Sequence, residues 1–395
     1  MAVSQCKHMT ASLFGGFYSR RTNVGRVCIT IVFLLAYHLL TLFCRMPTTT
    51  PPLPVLDPHF HIWDNKTHPN SNLGELTLKE LPVYSFRNYE EDCGVGVSGS
   101  VHVEAIVGQA EGAVDGLDPV AETRFVLEQL GAEGVRNVNL VVFVKLSDMP
   151  RAEAVIEAHR HVAGTRLVGV RMILNHSAED PSLTWPQVER GDYLTGGSPS
   201  FNEGFALLGP RKLSFDLQVN WFQLQDAATF LQAFPDTVVI LDHMGCLKLG
   251  AGEEEDARRI TVWQRGMQAL AALPNVFVKL SMLEYIRSGW QSDDTGKGEG
   301  DSKSDDTQGD AAGAACTNAH AVVKARVRDT IKWFGPSRCM FASNFPVDKC
   351  LLGRDCRPTS LENLVLAQHA LVADLPEEEQ RQLFIETARK VYKLK

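Results

Sequence analysis

Eight short β-rich runs alternate with helical stretches from residue 55 to the end of the 395-residue chain. The runs cover residues 55–60, 98–105, 138–144, 167–172, 213–219, 237–242, 276–280 and 339–343. Helical patterns cover residues 120–130, 152–163, 223–234, 257–273, 322–334 and 376–392. Strands separated by helices pair in parallel, and eight of them favour a closed barrel over an open sheet. The sequence therefore predicts an α/β fold, a (β/α)8 TIM barrel.

The first 56 residues differ in charge from the rest of the chain. They contain no Asp or Glu, and their five basic residues are Lys7, Arg20, Arg21, Arg26 and Arg45. The remainder holds 34 basic and 47 acidic residues, a net charge of −13. An acid-free basic leader is typical of a targeting segment rather than of a folded domain.

Residues 27–44 of the leader form an uncharged apolar run of 18 residues. As a helix this run would span roughly 27 Å, close to the thickness of a bilayer core. We therefore expect a basic leader (1–26), a transmembrane signal-anchor helix (27–44), a Pro/Thr linker (45–54) and the barrel (55–395). The basic residues before the helix predict a single-pass membrane protein with its body on the non-cytoplasmic side. Cleavage of the leader, which gives a secreted or organellar protein, is the alternative.

Residues 291–319 interrupt the alternation directly after the seventh predicted strand. The segment is rich in Gly, Ser, Asp and Ala, and residues 291–310 contain seven acids and two lysines. Such a composition buries little apolar surface, so we expect a disordered acidic insertion on the face of the barrel where active sites form.

Charge and cysteine usage exclude several classes of function. The whole chain has a net charge of −8, which argues against a nucleic-acid-binding surface. The nine cysteines form no C-x-x-C pair, so a zinc ribbon or a thioredoxin-like motif is not expected. Nothing in the sequence indicates the oligomeric state.

Polar residues at predicted strand ends are the candidates for chemistry. His59 and His61 are two residues apart on the first strand, so both side chains point the same way. At the mouth of a barrel they could bind a divalent metal or polarise a substrate. His243 follows the sixth strand directly, where an acid/base, electrophilic or ligand role is open.

Two other strands supply further candidates. In the fifth strand the polar side chains alternate with apolar ones, so Asp216, Gln218 and Asn220 are expected to face the pocket. Arg171 ends the fourth strand and is suited to a carboxylate.

Together the motifs resemble the amidohydrolase-related family. They occur in this order: DPHFHIWD (57–64), SVHVEA (100–105), GVR (169–171), LSFDLQV (213–219), FPDTVVILDHMG (234–245), NVFVKLS (275–281) and RCMFASNFPVDK (338–349). The resemblance covers residues 56–392 and is strongest to the lactonase-like branch, which includes fuconolactone and 2-pyrone-4,6-dicarboxylate hydrolases. It implies a (β/α)8 barrel that hydrolyses a C–O or C–N bond. In some relatives the reaction is a decarboxylation or a hydration.

The resemblance also implies that His59, His61, His243 and residues 343–346 line the pocket. Two departures stand out. Metal-dependent relatives place a histidine on the fifth strand, which here carries Asp216 and its polar neighbours. Most relatives end the eighth strand with an aspartate, and here that position is Asn344. An amide is neither a base nor a good zinc ligand.

These residues predict a hydrolase of small carboxylated or sugar-derived lactones. We expect Arg171, His59 and His61 to hold the substrate, and His243 or Asp216 to activate water. Asn344 is expected to stabilise the oxyanion. Gln218, Asn220 and Asp348 are further candidates for substrate binding. No cofactor is expected. One alternative is a hydrolase or decarboxylase that uses a divalent metal such as zinc, bound by His59 and His61. Another alternative is a catalytically inactive barrel that binds a small acid.

Overall fold

The computed structural model describes residues 55–67, 81–93, 96–105, 118–134, 137–291, 309–352 and 360–395. The predicted basic leader (1–26), hydrophobic helix (27–44) and Pro/Thr linker (45–54) lie outside these residues.

Ten strands occur in the described part of the chain: β1 (Val55–Phe60), β2 (Trp63–Asp64), β3 (Val83–Tyr84), β4 (Val97–Val103), β5 (Val138–Phe143), β6 (Leu167–Arg171), β7 (Ser214–Leu217), β8 (Val239–Leu241), β9 (Val276–Leu280) and β10 (Cys339–Phe341). Eight of them form one parallel sheet in the order β1-β4-β5-β6-β7-β8-β9-β10, and β2 pairs with β3 in a small antiparallel sheet. In six of the eight, every residue is buried. Full burial is expected where helices cover the outside of a parallel barrel and side chains fill its interior.

The two ends of the sheet meet through backbone hydrogen bonds. Asn344 N donates to His59 O at 2.8 Å, and His61 N donates to Phe345 O at 2.7 Å. Phe60 and Phe345 form a parallel bridge. The eight strands therefore form a nearly closed barrel, which confirms the predicted (β/α)8 architecture.

A buried carboxylate reinforces this closure. Asp57 Oδ1 accepts a hydrogen bond from Ser343 N at 2.9 Å, and Asp57 Oδ2 accepts from the hydroxyls of Ser343 and Tyr89 at 2.7 Å each. Burial raises the pKa of Asp57, although these hydrogen bonds lower it in part. Asp57 thus ties the first strand to the segment that follows the last strand.

Twelve helices occur in the described residues: α1 (Phe86–Cys93), α2 (Pro119–Ala132), α3 (Arg151–Ala163), α4 (Pro199–Ala206), α5 (Leu224–Leu231), α6 (Glu253–Ala271), α7 (Leu283–Ile286), α8 (Gly309–Phe334), α9 (Val347–Leu352), α10 (Leu361–Val372), α11 (Glu377–Arg381) and α12 (Thr387–Tyr392). A π-helical turn, Gln382–Glu386, joins α11 to α12 within the predicted last helix. Short 3-10 turns and the distorted turn His243–Cys246 complete the regular elements that bear on the site.

The acidic insertion predicted at residues 291–319 differs in part from the structure. Helix α8 begins at Gly309, thirteen residues before the predicted start at residue 322, so the end of the insertion is helical. Four alanines between residues 311 and 315 explain the longer helix, because alanine has the highest helix propensity. Residues 292–308 lie outside the described residues.

Membrane attachment is predicted from residues 27–44, which are not among the described residues. Within the ranges that the structure describes, no helix combines the length and the apolar character needed to cross a bilayer. This finding overturns the predicted single-pass membrane protein with its body on the non-cytoplasmic side.

Candidate active site

A cavity of about 510 Å³ opens at the carboxyl ends of the barrel strands. Its lining residues are His61, Trp63, Glu104, Ala105, Arg171, Ile173, Trp185, Gln187, Gln218, His243, Met282, Asn344 and Val347. Catalytic sites of (β/α)8 barrels form at this end, because several strand ends and loops converge there. Of the predicted site residues, His61, Arg171, Gln218, His243 and Asn344 therefore share one cavity.

Three lining residues have left-handed backbone conformations. His243 (φ 55°), Met282 (φ 54°) and Asn344 (φ 55°) follow the ends of β8, β9 and β10, respectively. Such conformations are costly for residues other than glycine and cluster at functional sites, where the surrounding structure maintains them. Their recurrence at three successive strand ends indicates that the backbone is held in place to present these side chains.

His59 and His61 form a buried pair. Their Nε2 atoms are 3.1 Å apart, and His61 Nδ1 is 2.7 Å from Val103 O. A backbone carbonyl can only accept, so His61 carries its proton on Nδ1 and has a lone pair on Nε2. Asn344 Oδ1, 3.3 Å away, faces the same nitrogen. Burial and the charge of Arg171 lower the pKa of His61 well below its usual value, so the ring is neutral.

Lys279, on β9, is a site residue that the sequence analysis missed. Its ammonium is fully buried and donates to Asp216 Oδ2 at 2.5 Å and to His59 Nδ1 at 3.0 Å. It also lies 3.0 Å from Asp242 Oδ1. Because His59 Nδ1 accepts from Lys279, His59 Nε2 is the nitrogen that donates to His61. A lysine inside the apolar run of residues 276–280 was the available signal, since lysine is rarely buried without a partner.

The two aspartates beside Lys279 have opposite pKa shifts. Burial raises the pKa of Asp216 to about 6, even though Lys279 lowers it. Burial also acts to raise the pKa of Asp242, but Lys279 and His59 outweigh it, and the net pKa lies well below the usual value. Asp242 is therefore an ionised carboxylate at the floor of the site.

Asp216 does not reach the cavity. It is fully buried, and its Oδ2 also accepts a hydrogen bond from the hydroxyl of Tyr392 at 2.8 Å. Asn139 Nδ2 holds the carbonyl of Tyr392 at 2.7 Å, so the end of the chain is anchored against β5. The structure thus places Asp216 beneath the site, where it contacts Lys279 rather than a bound substrate or water.

Arg171 lies in the cavity wall with most of its donors engaged. Its Nε and Nη2 donate to Oε1 and the backbone carbonyl of Glu104 at 2.6 and 2.5 Å. Its Nη1 donates to Gln218 Oε1 at 2.9 Å. Arg171 therefore positions Glu104 and Gln218, and its Nη1 also lies 3.6 Å from Asp242 Oδ2. Glu104, which lines the cavity, is another site residue that was not predicted individually.

His243 presents one nitrogen to the cavity. Its Nδ1 lies 2.9 Å from Ser281 Oγ, and its Nε2 makes no hydrogen bond to another described residue. Burial is the main cause that lowers the pKa of His243 to about 3, so the imidazole is neutral near pH 7. A neutral ring with a hydrogen-bonded Nδ1 can accept a proton or bind a metal through Nε2.

Asn344 and Asp348 form a second buried pair. Asn344 Nδ2 donates to Asp348 Oδ1 at 2.9 Å. Burial raises the pKa of Asp348 to about 8, with the hydrogen bond from Asn344 acting in the opposite direction. Asp348 is therefore largely protonated at pH 7, and its contact is with Asn344. Asn220, the last predicted candidate, lines a separate cavity next to this one.

The described residues include one cluster that could hold a metal ion. His59, Asp242 and His243 each offer a ligand atom, and these atoms lie within 4.8 Å of one another. Asp242 is held by ion pairs, with Oδ1 beside Lys279 Nζ and Oδ2 at 3.6 Å from Arg171 Nη1. Two imidazoles and a carboxylate match the ligand preferences of zinc and similar divalent metals. The cluster therefore fits such an ion where the ion takes the place of the Lys279 ammonium, which lies 3.0 Å from both Asp242 Oδ1 and His59 Nδ1.

The cluster of His59, Asp242 and His243 corrects the prediction that the protein needs no cofactor. The expectation of no metal is not supported, and the metal alternative fits with a different ligand set. His61 is replaced as a candidate ligand by Asp242 and His243, because His61 Nε2 faces His59 and Asn344.

The chain is similar in sequence to known proteins. The family model Amidohydro_2, described as amidohydrolase, matches residues 56–394. An uncharacterized protein of Sinorhizobium fredii is 26% identical over 315 residues, which cover 76% of this chain and 88% of that protein. The L-fucono-1,5-lactonase of Burkholderia multivorans is 28% identical over 231 residues, which cover 58% of this chain and 64% of that enzyme.

Solved structures share the fold. A Burkholderia multivorans amidohydrolase aligns with a TM-score of 0.63 in a crystal form with bound HEPES and 0.61 in a form with bound zinc. The sequence identities are 22% and 21%, and both alignments cover 86% of this chain and 99% of that one.

Proposed function

Because the chain belongs to the Amidohydro_2 family of amidohydrolases, as its motifs predict, we propose that it is a hydrolase that opens a small carboxylated or sugar-derived lactone. The likeness to L-fucono-1,5-lactonase supports a lactone as the substrate. The cavity is lined by aromatic and apolar side chains with a few polar groups among them, as is usual for small-molecule sites.

One observation carries this proposal. His243 has a left-handed backbone and directs an unpaired Nε2 into the cavity, and Met282 and Asn344 adopt the same conformation at the next two strand ends. Such conformations occur at ligand clamps as well as at active sites, and the unpaired nitrogen of His243 is the feature that favours catalysis over simple binding of a small acid. The geometry favours a site that is organised for catalysis.

The residues of the cavity suggest the steps of the reaction. Neutral His243 accepts a proton at Nε2 from the water that attacks the lactone carbonyl, while Ser281 holds the ring through Nδ1. The protonated imidazole of His243 then gives its proton to the ring oxygen of the lactone as the C–O bond breaks. Gln218 Nε2, which makes no hydrogen bond to another described residue, is available to bind the substrate.

Lys279 contributes from below the cavity. Its ammonium contacts His59 and the two aspartates. Because it donates to His59 Nδ1, His59 is the donor in the hydrogen bond between His59 and His61. The orientation of His61 at the cavity wall therefore follows from Lys279.

The metal alternative concerns the same histidine. A divalent ion such as zinc, held by His59, Asp242 and His243, would supply Lewis-acid polarisation of the carbonyl or a water of lowered pKa. His243 Nε2 can serve as a base or as a ligand, and it cannot serve as both at once.

The test is hydrolysis of a panel of γ- and δ-lactones by the purified full-length protein. Hydrolysis is monitored through the release of protons, and zinc content is measured on the same samples. We expect ring opening of at least one sugar-derived or carboxylated lactone. Turnover that follows zinc content assigns a ligand role to His243, and turnover independent of zinc assigns the base role. Absence of turnover across the panel would contradict the proposed function.

A further inference from the structure

A second cavity of about 800 Å³ adjoins the active-site cavity. The two share three lining residues, Trp185, Gln218 and Met282. The second cavity, here called the outer compartment, is lined by residues that follow β6, β7, β8 and β9. It is therefore part of the same end of the barrel at which the reaction is proposed.

The walls of the outer compartment are held by specific hydrogen bonds. Asn175 and Asn220 are both nearly fully buried, and their side-chain amides are 2.9 Å apart. Asn220 Nδ2 also donates to Leu183 O at 2.8 Å, which ties the loop after β6 to the residues after β7. Trp221 is buried beside them. This compartment is a built cavity, and it accounts for the inward-facing position predicted for Asn220.

The charge of the outer compartment has one sign. Its lining contains Lys248 and no Asp or Glu. Lys248 is exposed at the compartment and makes no ion pair with the residues that the structure describes; its Nζ lies 5.9 Å from the centre of the Tyr285 ring.

A second donor lies at the junction of the two cavities. Gln218 is 3% exposed, and its Oε1 accepts from Arg171. Its Nε2 has no hydrogen-bond partner among the described residues. Gln218 and Lys248 therefore both offer donors to the outer compartment, whose lining also includes the aromatic rings of Trp185, Trp221 and Tyr285. Such a cavity favours an elongated group that ends in a negative charge.

We infer that the outer compartment binds a carboxylate-bearing arm of the substrate, with Lys248 as the residue that selects for its charge. The inference rests on the proposed function, because it assigns the reacting ring to the active-site cavity and the arm to the compartment beside it. The substrate class is then a lactone with a second, anionic group several bonds from the reacting carbonyl.

Three product-like probes of equal chain length test the inference by calorimetric binding, which does not require turnover. Hexanoate has an uncharged end, adipate ends in a second carboxylate, and 6-aminohexanoate ends in an ammonium group. Three proteins are compared: the unchanged chain, Lys248→Glu, and the control Lys332→Met. Lys332 is an exposed lysine of α8 that lines neither cavity.

We expect the unchanged chain and the control to bind adipate about three- to fivefold more tightly than hexanoate, the range of a partly exposed charge pair. Lys248→Glu should reverse the order of adipate and 6-aminohexanoate and leave hexanoate unchanged. An equal affinity of the unchanged chain for adipate and hexanoate, or an unaltered order in Lys248→Glu, would overturn the inference. Either result would leave lactone hydrolysis, measured separately, untouched.

Discussion

Replacing Lys279 by methionine removes the ammonium beneath the active site and keeps a side chain of similar length. Nζ lies 2.5 Å from Asp216 Oδ2 and 3.0 Å from Asp242 Oδ1, and all three side chains are fully buried. Removal of one partner from a buried ion pair typically costs about 3–5 kcal/mol, because the other charge is left without compensation. We expect urea denaturation of Lys279→Met to show a fall of at least about 3 kcal/mol in the free energy of unfolding.

Two further variants separate the loss of charge from the loss of packing. Lys279→Met/Asp216→Asn removes one charge of each sign, so it should recover part of the stability that Lys279→Met loses. The exposed Lys332→Met is the matched control and should stay within about 0.5 kcal/mol of the unchanged chain. If Lys279→Met and Lys332→Met unfold at the same urea concentration, the buried carboxylates do not depend on Lys279 and the reasoning is refuted.

Three further measurements test the metal cluster, the buried His102 and the role of Asp57. Folded Lys279→Met should retain more zinc after dialysis than the unchanged chain, because a positive charge beside Asp242 is gone; equal zinc content would argue against the metal cluster. Burial lowers the pKa of His102 to about 3, so between about pH 6 and about pH 4 the unfolded state binds a proton that the folded state does not. In that range His102→Gln should flatten the fall in the free energy of unfolding by about 1.4 kcal/mol per pH unit, and an unchanged slope would contradict the shift. Asp57→Ala leaves the buried backbone N–H groups of Ser343 and His59 without an acceptor and should lower the free energy of unfolding, measured with urea, by about 3 kcal/mol or more. A loss below about 1 kcal/mol would mean that Asp57 does not help to close the barrel.

The sequence was sufficient to predict the order of the barrel because each strand is a short apolar run followed by a helix. The predicted fifth strand, residues 213–219, contains the observed strand Ser214–Leu217, and the seventh, Val276–Leu280, agrees at both ends. Strand ends were less predictable, since apolar side chains continue past the last ladder hydrogen bond. The two hydrogen bonds that join His59 and His61 to the segment after β10 connect residues about 285 apart, and no local pattern encodes them.

The site was predictable where a polar residue stands at the end of a strand. His61, His243 and Asn344 share the cavity for this reason. Lys279 and Asp242 were missed because they lie inside or beside apolar runs, and their importance depends on which residues meet across the barrel. The same limit applies to Asp216, whose inward direction was clear from alternation while its depth below the cavity was not.

The central claim is that lactone hydrolysis takes place at His243, and kcat/KM for the best lactone of the panel tests it most directly. His243→Asn should lower kcat/KM by about a hundred- to ten-thousandfold, the usual contribution of a positioned acid or base, with the fold intact by circular dichroism. The control His161→Asn changes an exposed histidine of α3 and should leave kcat/KM unchanged. A His243→Asn variant that hydrolyses the lactone as fast as the unchanged chain would contradict the account.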